Sequence, residues 1–226
     1  MSGMGVFDIL GPIMVGPSSS HTAGAARLGK VARAIAGDDV IEVTFLLHGS
    51  FAKTYKGHGT DRALVAGILG MEPSDERLRN SMDIAKEKGM KFLFKEADLG
   101  DVHPNTVKFV MRTIDNKYCE VMGSSIGGGN IKICEVNDNE VDFTGMYETL
   151  IVQHKDVPGV IHSITHILYS ENINVAFMRV FRDRKGEDAT MIFEMDNKVS
   201  IETRKKIESL ELVYKVISIS PAKEDE

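Results

Sequence analysis

Gly16 to Ala36 reads GPSSSHTAGAARLGKVARAIA, and its two halves differ in chemistry. In the second half Ala25, Leu28, Val31 and Ile35 recur at the spacing of one helix face. The first part, GPSSSHT from Gly16 to Thr22, therefore stands at a helix N-terminus. Unpaired backbone N–H groups and the positive end of the helix dipole gather there. The hydroxyls of Ser18, Ser19, Ser20 and Thr22 would complete a seat for a carboxylate or phosphate. Capping by one serine is the competing reading, and it accounts for only one of the three in a row. Spacing alone leaves the two level.

A second stretch, Gly57 to Asp61 (GHGTD), has the same character. Thr60 or Asp61 is placed to cap a helix over Arg62 to Leu69 that stops at Gly70, so a second helix N-terminus carries His58. Between the two, Ile41 to His48 alternates as a half-buried strand ending at HGS. The following FAKTYKGHGTD reads as a polar, glycine-punctuated loop. The strand and the two helices make this half an α/β unit.

Farther along, Ser74 with Asp75, Glu76 and Arg77 opens a helix that ends at Gly89, followed by a short strand from Met90 to Phe94. HPNT, His103 to Thr106, precedes a strand from Val107 to Ile114, which turns at Asp115-Asn116 into Tyr118 to Met122. GSSIGGGN, Gly123 to Asn130, is too glycine-rich for interior strand and reads either as a bulge or as a loop that lets backbone approach a ligand. Strands at Ile131 to Val136 and Val141 to Phe143 complete a mixed sheet, and Thr144-Gly145 begins a linker.

The pattern then changes. Thr149 to His154, the turn DVPGV, a helix face of Val160, Ile161, Ile164, Ile167 and Leu168, and the strands Asn174 to Phe181 and Asp188 to Met195 follow in order. Ser200 caps a helix through Ser209, and Val213 to Ile219 is a closing strand. The order βαββαβ in about 75 residues is ferredoxin-like. The fold class is thus α+β, with an α/β domain over 1–146 and a ferredoxin-like domain over 147–226. The tail PAKEDE reads as disordered.

Composition narrows the function. The chain has 226 residues, 42% hydrophobic and 27% charged, with a net charge of −6 and no long basic run. That balance argues against nucleic acid and anionic membrane as partners and for small molecules or proteins. MSGMGVFDIL lacks the pattern of a signal peptide, and no run of apolar residues is long enough to span a bilayer, so a cytoplasmic location is expected. Only two cysteines occur, Cys119 and Cys134. A four-iron cluster generally takes three or four thiolates, so this chain alone could not hold one in the usual way.

Both halves resemble known families. ETLIVQHKDVPGVIHSITHILYSENINV resembles an ACT domain, a fold that pairs through its sheets and binds small ligands where the first turn and helix meet a neighbouring copy. The resemblance implies an allosteric site at Asp156, Pro158, Gly159, Val160 and Asn172, or a domain used only for dimerisation. The N-terminal half, from VFDILGPIMVGPSSSHT through LHGSFAKTYKGHGTD, HPNT and GSSIGGG, resembles the beta chain of iron-sulfur-dependent bacterial L-serine dehydratase. A related module occurs in some phosphoglycerate dehydrogenases.

That resemblance implies a lyase converting L-serine to pyruvate and ammonia. Its 4Fe-4S cluster would be ligated by a cysteine-bearing alpha subunit and act as Lewis acid on the serine hydroxyl. Its implications for this chain are His58 as the base at the α-carbon and His21 orienting the substrate. Ser18, Ser19, Ser20 and Thr22 would lie on the carboxylate, with Thr60 and Asp61 beside them. His103, Asn105, Thr106, Ser124 and Ser125 would be further substrate or partner contacts. The alternative is an amino-acid or hydroxy-acid sensing module without catalytic residues.

The other histidines have plainer readings. His48 ends a strand and is expected to bond the neighbouring loop. His162 and His166 have metal-binding spacing on one helix but no third ligand in view, which favours a solvated or dimer-facing edge. Whether Lys53, Lys56 and Asp61 tune His58 or are solvated loop charges stays open.

Overall fold

In a computed structural model, residues 16, 18–37, 40–182 and 184–221 are described. The lead-in expected over Phe7 to Gly16 falls outside them except for Gly16, as do Asp38, Asp39 and residues 222–226 of the tail.

The alanine-rich run forms helix α1, Ala25–Ala36, with one face of Leu28, Val31, Ala32 and Ile35 buried and Gly37 ending it in the left-handed region. Strand β1, Val40–Leu47, buries Val43, Phe45 and Leu47 on one face. Two short helices follow, α2 over Gly49–Thr54 and α3 over Thr60–Ile68. A 3-10 turn, Glu76–Asn80, leads into α4, Ser81–Glu87. The strands β2 (Lys91–Glu96), β3 (Thr106–Thr113), β4 (Tyr118–Gly127), β5 (Asn130–Val136) and β6 (Asn139–Phe143) come next.

The sheet order is β2-β1-β3-β4-β5-β6. β1 and β2 run parallel, while β1–β3, β3–β4 and β4–β5 are antiparallel, as a mixed sheet requires.

Helices α1 and α3 meet backbone to backbone. A methyl group on Gly67 would lie 2.2 Å from the Ala26 carbonyl oxygen and 2.8 Å from Gly29 Cα; one on Gly29 would lie 2.6 Å from the Leu64 carbonyl oxygen. Thr22 approaches His58, Ala26 and Gly29 meet Gly67, and Arg33 reaches Gly70. Contacts that advance together along both helices mean that the helices run in the same direction. Their N-terminal ends therefore lie together.

Four local expectations need correction. The polar stretch after β1 is helical at Gly49–Thr54, because the Pro104 carbonyl accepts the Ser50 and Phe51 N–H groups, at 2.8 and 3.3 Å, and caps that helix from outside the segment. Helix α3 begins at Thr60 with a left-handed Gly59 (φ 72°) at the cap position, so neither Thr60 nor Asp61 caps it. Of the two readings of the glycine-rich stretch the bulge holds and the loop falls for Gly123 to Gly127, which is strand with register shifts at Met122/Gly123 and Ser125/Gly127. Gly123 serves packing there, since a side chain would meet Leu28 Cδ2 at 2.7 Å and Ile133 Cδ1 at 2.8 Å. The helix expected from Ser74 also starts as a 3-10 turn, capped by the Asp75 carboxylate on the Arg77 N–H.

By its contacts the chain divides into two compact units between Asp138 and Asn139. In the second, β7 (Glu148–Lys155), α5 (Val160–Ser170), β8 (Val175–Arg182), β9 (Asp188–Met195), α6 (Ile201–Glu208) and β10 (Val213–Ile219) form an antiparallel sheet ordered β10-β7-β9-β8. Leu150, Val152, Met191 and Phe193 face Ile164, Leu168 and Ile207 in its core. This is the ferredoxin-like order read from the sequence. Ser200 caps α6 by accepting the Thr203 N–H at 3.0 Å.

The crossing of α1 and α3 makes a signed prediction. Gly67→Ala ought to gain about 0.5–1 kcal/mol from helix propensity. The methyl would press on a backbone carbonyl that cannot turn aside, so a net loss of about 1–3 kcal/mol is expected in denaturant unfolding. Equal or higher stability would mean that the helices do not touch there.

Candidate active site

The turn that carries His21 is one π-helical turn, Ser19–Gly24, inserted ahead of α1. Such turns tend to occur at functional sites because they push one residue out of the regular ladder. Ser18 is its N-cap: its Oγ accepts the His21 N–H at 3.2 Å, and its carbonyl accepts the Thr22 N–H at 2.9 Å. Capping thus accounts for Ser18, while Ser19 and Ser20 sit half-buried within the turn.

The His21 ring is held on four sides. Ser18 Oγ is 3.4 Å from Nδ1 and Ser50 Oγ is 3.3 Å from Nε2. The Phe51 ring meets it at 5.4 Å between centroids and the His58 ring at 4.9 Å, both edge to face. The two sequence-selected histidines, 37 positions apart in a chain of 226 residues, are therefore neighbours.

His58 reaches this position through its backbone. The Thr54 carbonyl accepts the N–H groups of Gly57 and His58, at 3.0 and 3.1 Å, and Thr22 Oγ1 lies 3.5 Å from the His58 carbonyl, to which it donates. Tyr55, just upstream, stacks on Phe94, which stacks in turn on the buried Phe45. The loop is anchored to the sheet while His58 itself stays exposed.

A cavity of about 320 Å³ opens here, lined by Gly16, Thr22, Lys56, Gly57, His58, Gly59, Arg62, Leu78 and Arg79. The lining carries three cations and no carboxylate among the described residues. With the N-terminal ends of two parallel helices nearby, it favours an anionic group. Arg62, Arg79 and Ser50 were not singled out by sequence reasoning. Ser50 sits inside the HGS that ends β1, a usable signal, whereas Arg79 comes from a distant 3-10 turn and gives none.

Electrostatics separate the groups. Burial, and then the neighbouring His58, hold the His21 imidazole below the ordinary histidine value of 6.5. Burial pushes the Asp61 carboxyl up, although its Oδ1 accepts the Arg62 N–H at 2.8 Å. Thr60 is fully buried and its hydroxyl has no partner among the described residues.

The remaining predicted residues lie behind this front. His103 Nδ1 accepts the Asn105 N–H at 3.1 Å, and Thr106 donates to the His103 carbonyl at 2.5 Å. Thr106 and Ser124 are buried and bonded hydroxyl to hydroxyl at 2.7 Å. The Ser125 N–H donates to the Asn105 carbonyl, and its side chain fills the space a Gly24 methyl would need. These residues underpin the π turn and α2, and none of them lines the cavity. His48 Nδ1 accepts the Leu99 N–H at 3.1 Å, the loop contact expected of it.

In the second unit, Asp156 accepts the Gly186 N–H at 3.0 Å and an Arg182 bond at 3.2 Å, which hold its carboxyl below the usual range and tie it to the β8–β9 turn. Pro158 and Gly159 are exposed, Gly159 caps α5 with φ 95°, Val160 is buried and Asn172 is left-handed after the helix. His162 and His166 stack on the exposed face of α5, 5.8 Å apart. Elsewhere, Glu120, Glu135 and Asp138 converge at metal-ligand spacing, but the Lys108 ammonium lies among them at 2.8, 2.8 and 3.8 Å.

Since the folded-state value of His21 lies below that of the unfolded chain, its contribution to stability is complete above pH 6.5 and declines as the pH falls from there. Histidine NMR titration should show the His21 ring protonating below 6.5 and shifting upward in His58→Ala. An unshifted ring would remove the electrostatic contact between the two.

Comparison with known proteins matches the description "Serine dehydratase beta chain" over residues 5–88 and "ACT domain" over residues 149–212. The chain is 43% identical over 197 residues to the L-serine dehydratase beta chain of Peptoniphilus asaccharolyticus, covering 87% of this chain and 89% of that one. It is 40% identical over 215 residues to the probable L-serine dehydratase beta chain of Bacillus subtilis, covering 95% and 97%. The D-3-phosphoglycerate dehydrogenase of the same bacterium is 29% identical over 175 residues, which cover 76% of this chain and 33% of that protein. On these grounds the chain belongs to the serine dehydratase beta-chain family and includes an ACT domain.

Proposed function

We propose that this chain is the beta subunit of an L-serine dehydratase that converts L-serine to pyruvate and ammonia together with an alpha subunit. The observation that carries the reading is the meeting of His21 and His58 beside a cation-lined cavity. Family membership supplies the reaction. Residues 1–146 form the substrate-site domain in this reading and 147–226 the ACT domain.

Dehydration of serine breaks the Cα–H and Cβ–O bonds and leaves 2-aminoacrylate, whose imine tautomer hydrolyses to pyruvate and ammonia. This chain's part is to fix the carboxylate and take the proton. Arg62 and Arg79 hold the carboxylate at the helix N-terminal ends, with Ser18, Ser19, Ser20, Thr22, Thr60 and Asp61 shaping the seat. His58, exposed and flanked by glycines, takes the α-proton. His21, kept neutral by burial and by its neighbour, orients it.

The donors at this site are imidazoles, hydroxyls, a guanidinium pair and an ammonium. They do not fit an iron-sulfur cluster, and the two cysteines lie on β4 and β5, with Cys119 buried. The 4Fe-4S cluster, a Lewis acid for the serine hydroxyl, therefore belongs to the alpha chain in this reading. The reducing cytoplasm is where such a centre would last. Self-association goes through the second sheet, where edge strand β8 exposes Phe177, Met178 and Val180. Amino-acid binding at Asp156, Pro158, Gly159, Val160 and Asn172 would make the ACT domain regulatory.

Assaying pyruvate after anaerobic reconstitution with the alpha subunit tests the assignment. His58→Ala should lower kcat by about 10²–10⁴-fold, the usual worth of a positioned base. Full activity would leave only the sensing role suggested by the dehydrogenase relative. Arg62→Gln and Arg79→Gln should each raise KM roughly tenfold, as loss of a charged hydrogen bond does. An unchanged KM would move the carboxylate elsewhere.

A further inference from the structure

Ser50, in the HGS stretch, has been given no role so far, yet its position is fixed from three directions. Its N–H donates to the Pro104 carbonyl at 2.8 Å, its own carbonyl accepts Thr54 Oγ1 at 2.7 Å, and its Oγ stands 3.3 Å from His21 Nε2. The preceding residue leaves no slack. Gly49 has φ 55°, and a methyl there would lie 2.7 Å from the Pro104 carbonyl oxygen and 2.8 Å from Pro104 Cα. Pro104 is set in turn by the bonds of the HPNT loop, His103 with Asn105 and Thr106, and Thr106 with Ser124. HPNT, which does not line the cavity, thereby gains a part: it holds Ser50 against the histidine.

The hydrogen bonds also bear on the tautomer. Ser18 Oγ accepts the His21 N–H, and in the arrangement we take up its own hydrogen goes to Nδ1. Nδ1 is then the acceptor, Nε2 carries the proton, and Ser50 Oγ receives it. We propose that Ser50 is a positioning residue for His21, holding the neutral imidazole with its proton on Nε2 so that the ring stays edge-on to His58. Only the catalytic consequence rests on the dehydratase reading; the tautomer does not.

The test is a long-range ¹H–¹⁵N spectrum of the full chain labelled at histidine, at about pH 8 where imidazoles are neutral, beside kinetics of the reconstituted complex. Wild type should show His21 as the Nε2–H tautomer. Ser50→Ala should bring the two ring-nitrogen shifts toward each other and lower kcat roughly tenfold with KM within about twofold, while Ser50→Thr restores both. Ser50→Cys, similar in shape but a weak acceptor, carries the same expectation should the alanine variant fail to fold. A His21 spectrum unchanged in the folded variant overturns the proposal whatever the activity. A changed spectrum from a complex inactive even as wild type upholds it and counts against the dehydratase reading alone.

Discussion

The close crossing of α1 and α3 is the constraint on which the remaining geometry hangs. Helix axes usually stand 8–10 Å apart, at a distance set by the side chains between them. Here Gly29 and Gly67 remove those side chains, and backbone meets backbone. Because the helices run in the same direction, closeness at the crossing becomes closeness at their starts. The π turn before α1 and the glycine loop before α3 are each too short to wander, so His21 and His58 have to meet. Gly123 lets α1 settle on β4 in the same way, which fixes the depth of the turn below the surface.

That arrangement sorts the polar residues into two ranks. The front rank, with His58, Lys56, Arg62 and Arg79, is exposed and cationic and faces the cavity. The rear rank, with Ser18, Ser50, Thr106, Ser124 and the backbone of Pro104, is bonded chiefly to itself and to His21. Rings 4.9 Å apart cannot both carry a proton cheaply, and the half-buried one is the one kept neutral. An oriented neutral imidazole beside an exposed one suits a reaction that must take one proton while an anion is held nearby.

Much of this was legible in the sequence, and the limits have physical causes. The second unit followed from apolar runs of strand length, as Asp188–Met195 and Val213–Ile219 illustrate, and from a clear helix face, because both patterns are local. His21 and His58 stood out because each sits in a turn too polar and too rich in glycine or serine to be packing. What escaped depends on partners far along the chain. Helix α2 has no capping residue of its own and borrows the Pro104 carbonyl, which lies more than fifty positions away. The strand through Gly123 read as either a bulge or a loop because its glycine answers to Leu28, a neighbour in space only. Arg79 joins the cavity by tertiary placement, and nothing in ERLRN reports it.

The central claim is that the two imidazoles act on one substrate as a unit, and a double-mutant cycle in kcat/KM on the reconstituted enzyme addresses it most directly. If His21 works through His58, His21→Ala combined with His58→Ala should lose hardly more activity than His58→Ala alone. If the losses of the two single variants multiply in the double variant, the rings act independently, and their meeting beside the cavity is not what makes this subunit part of a lyase.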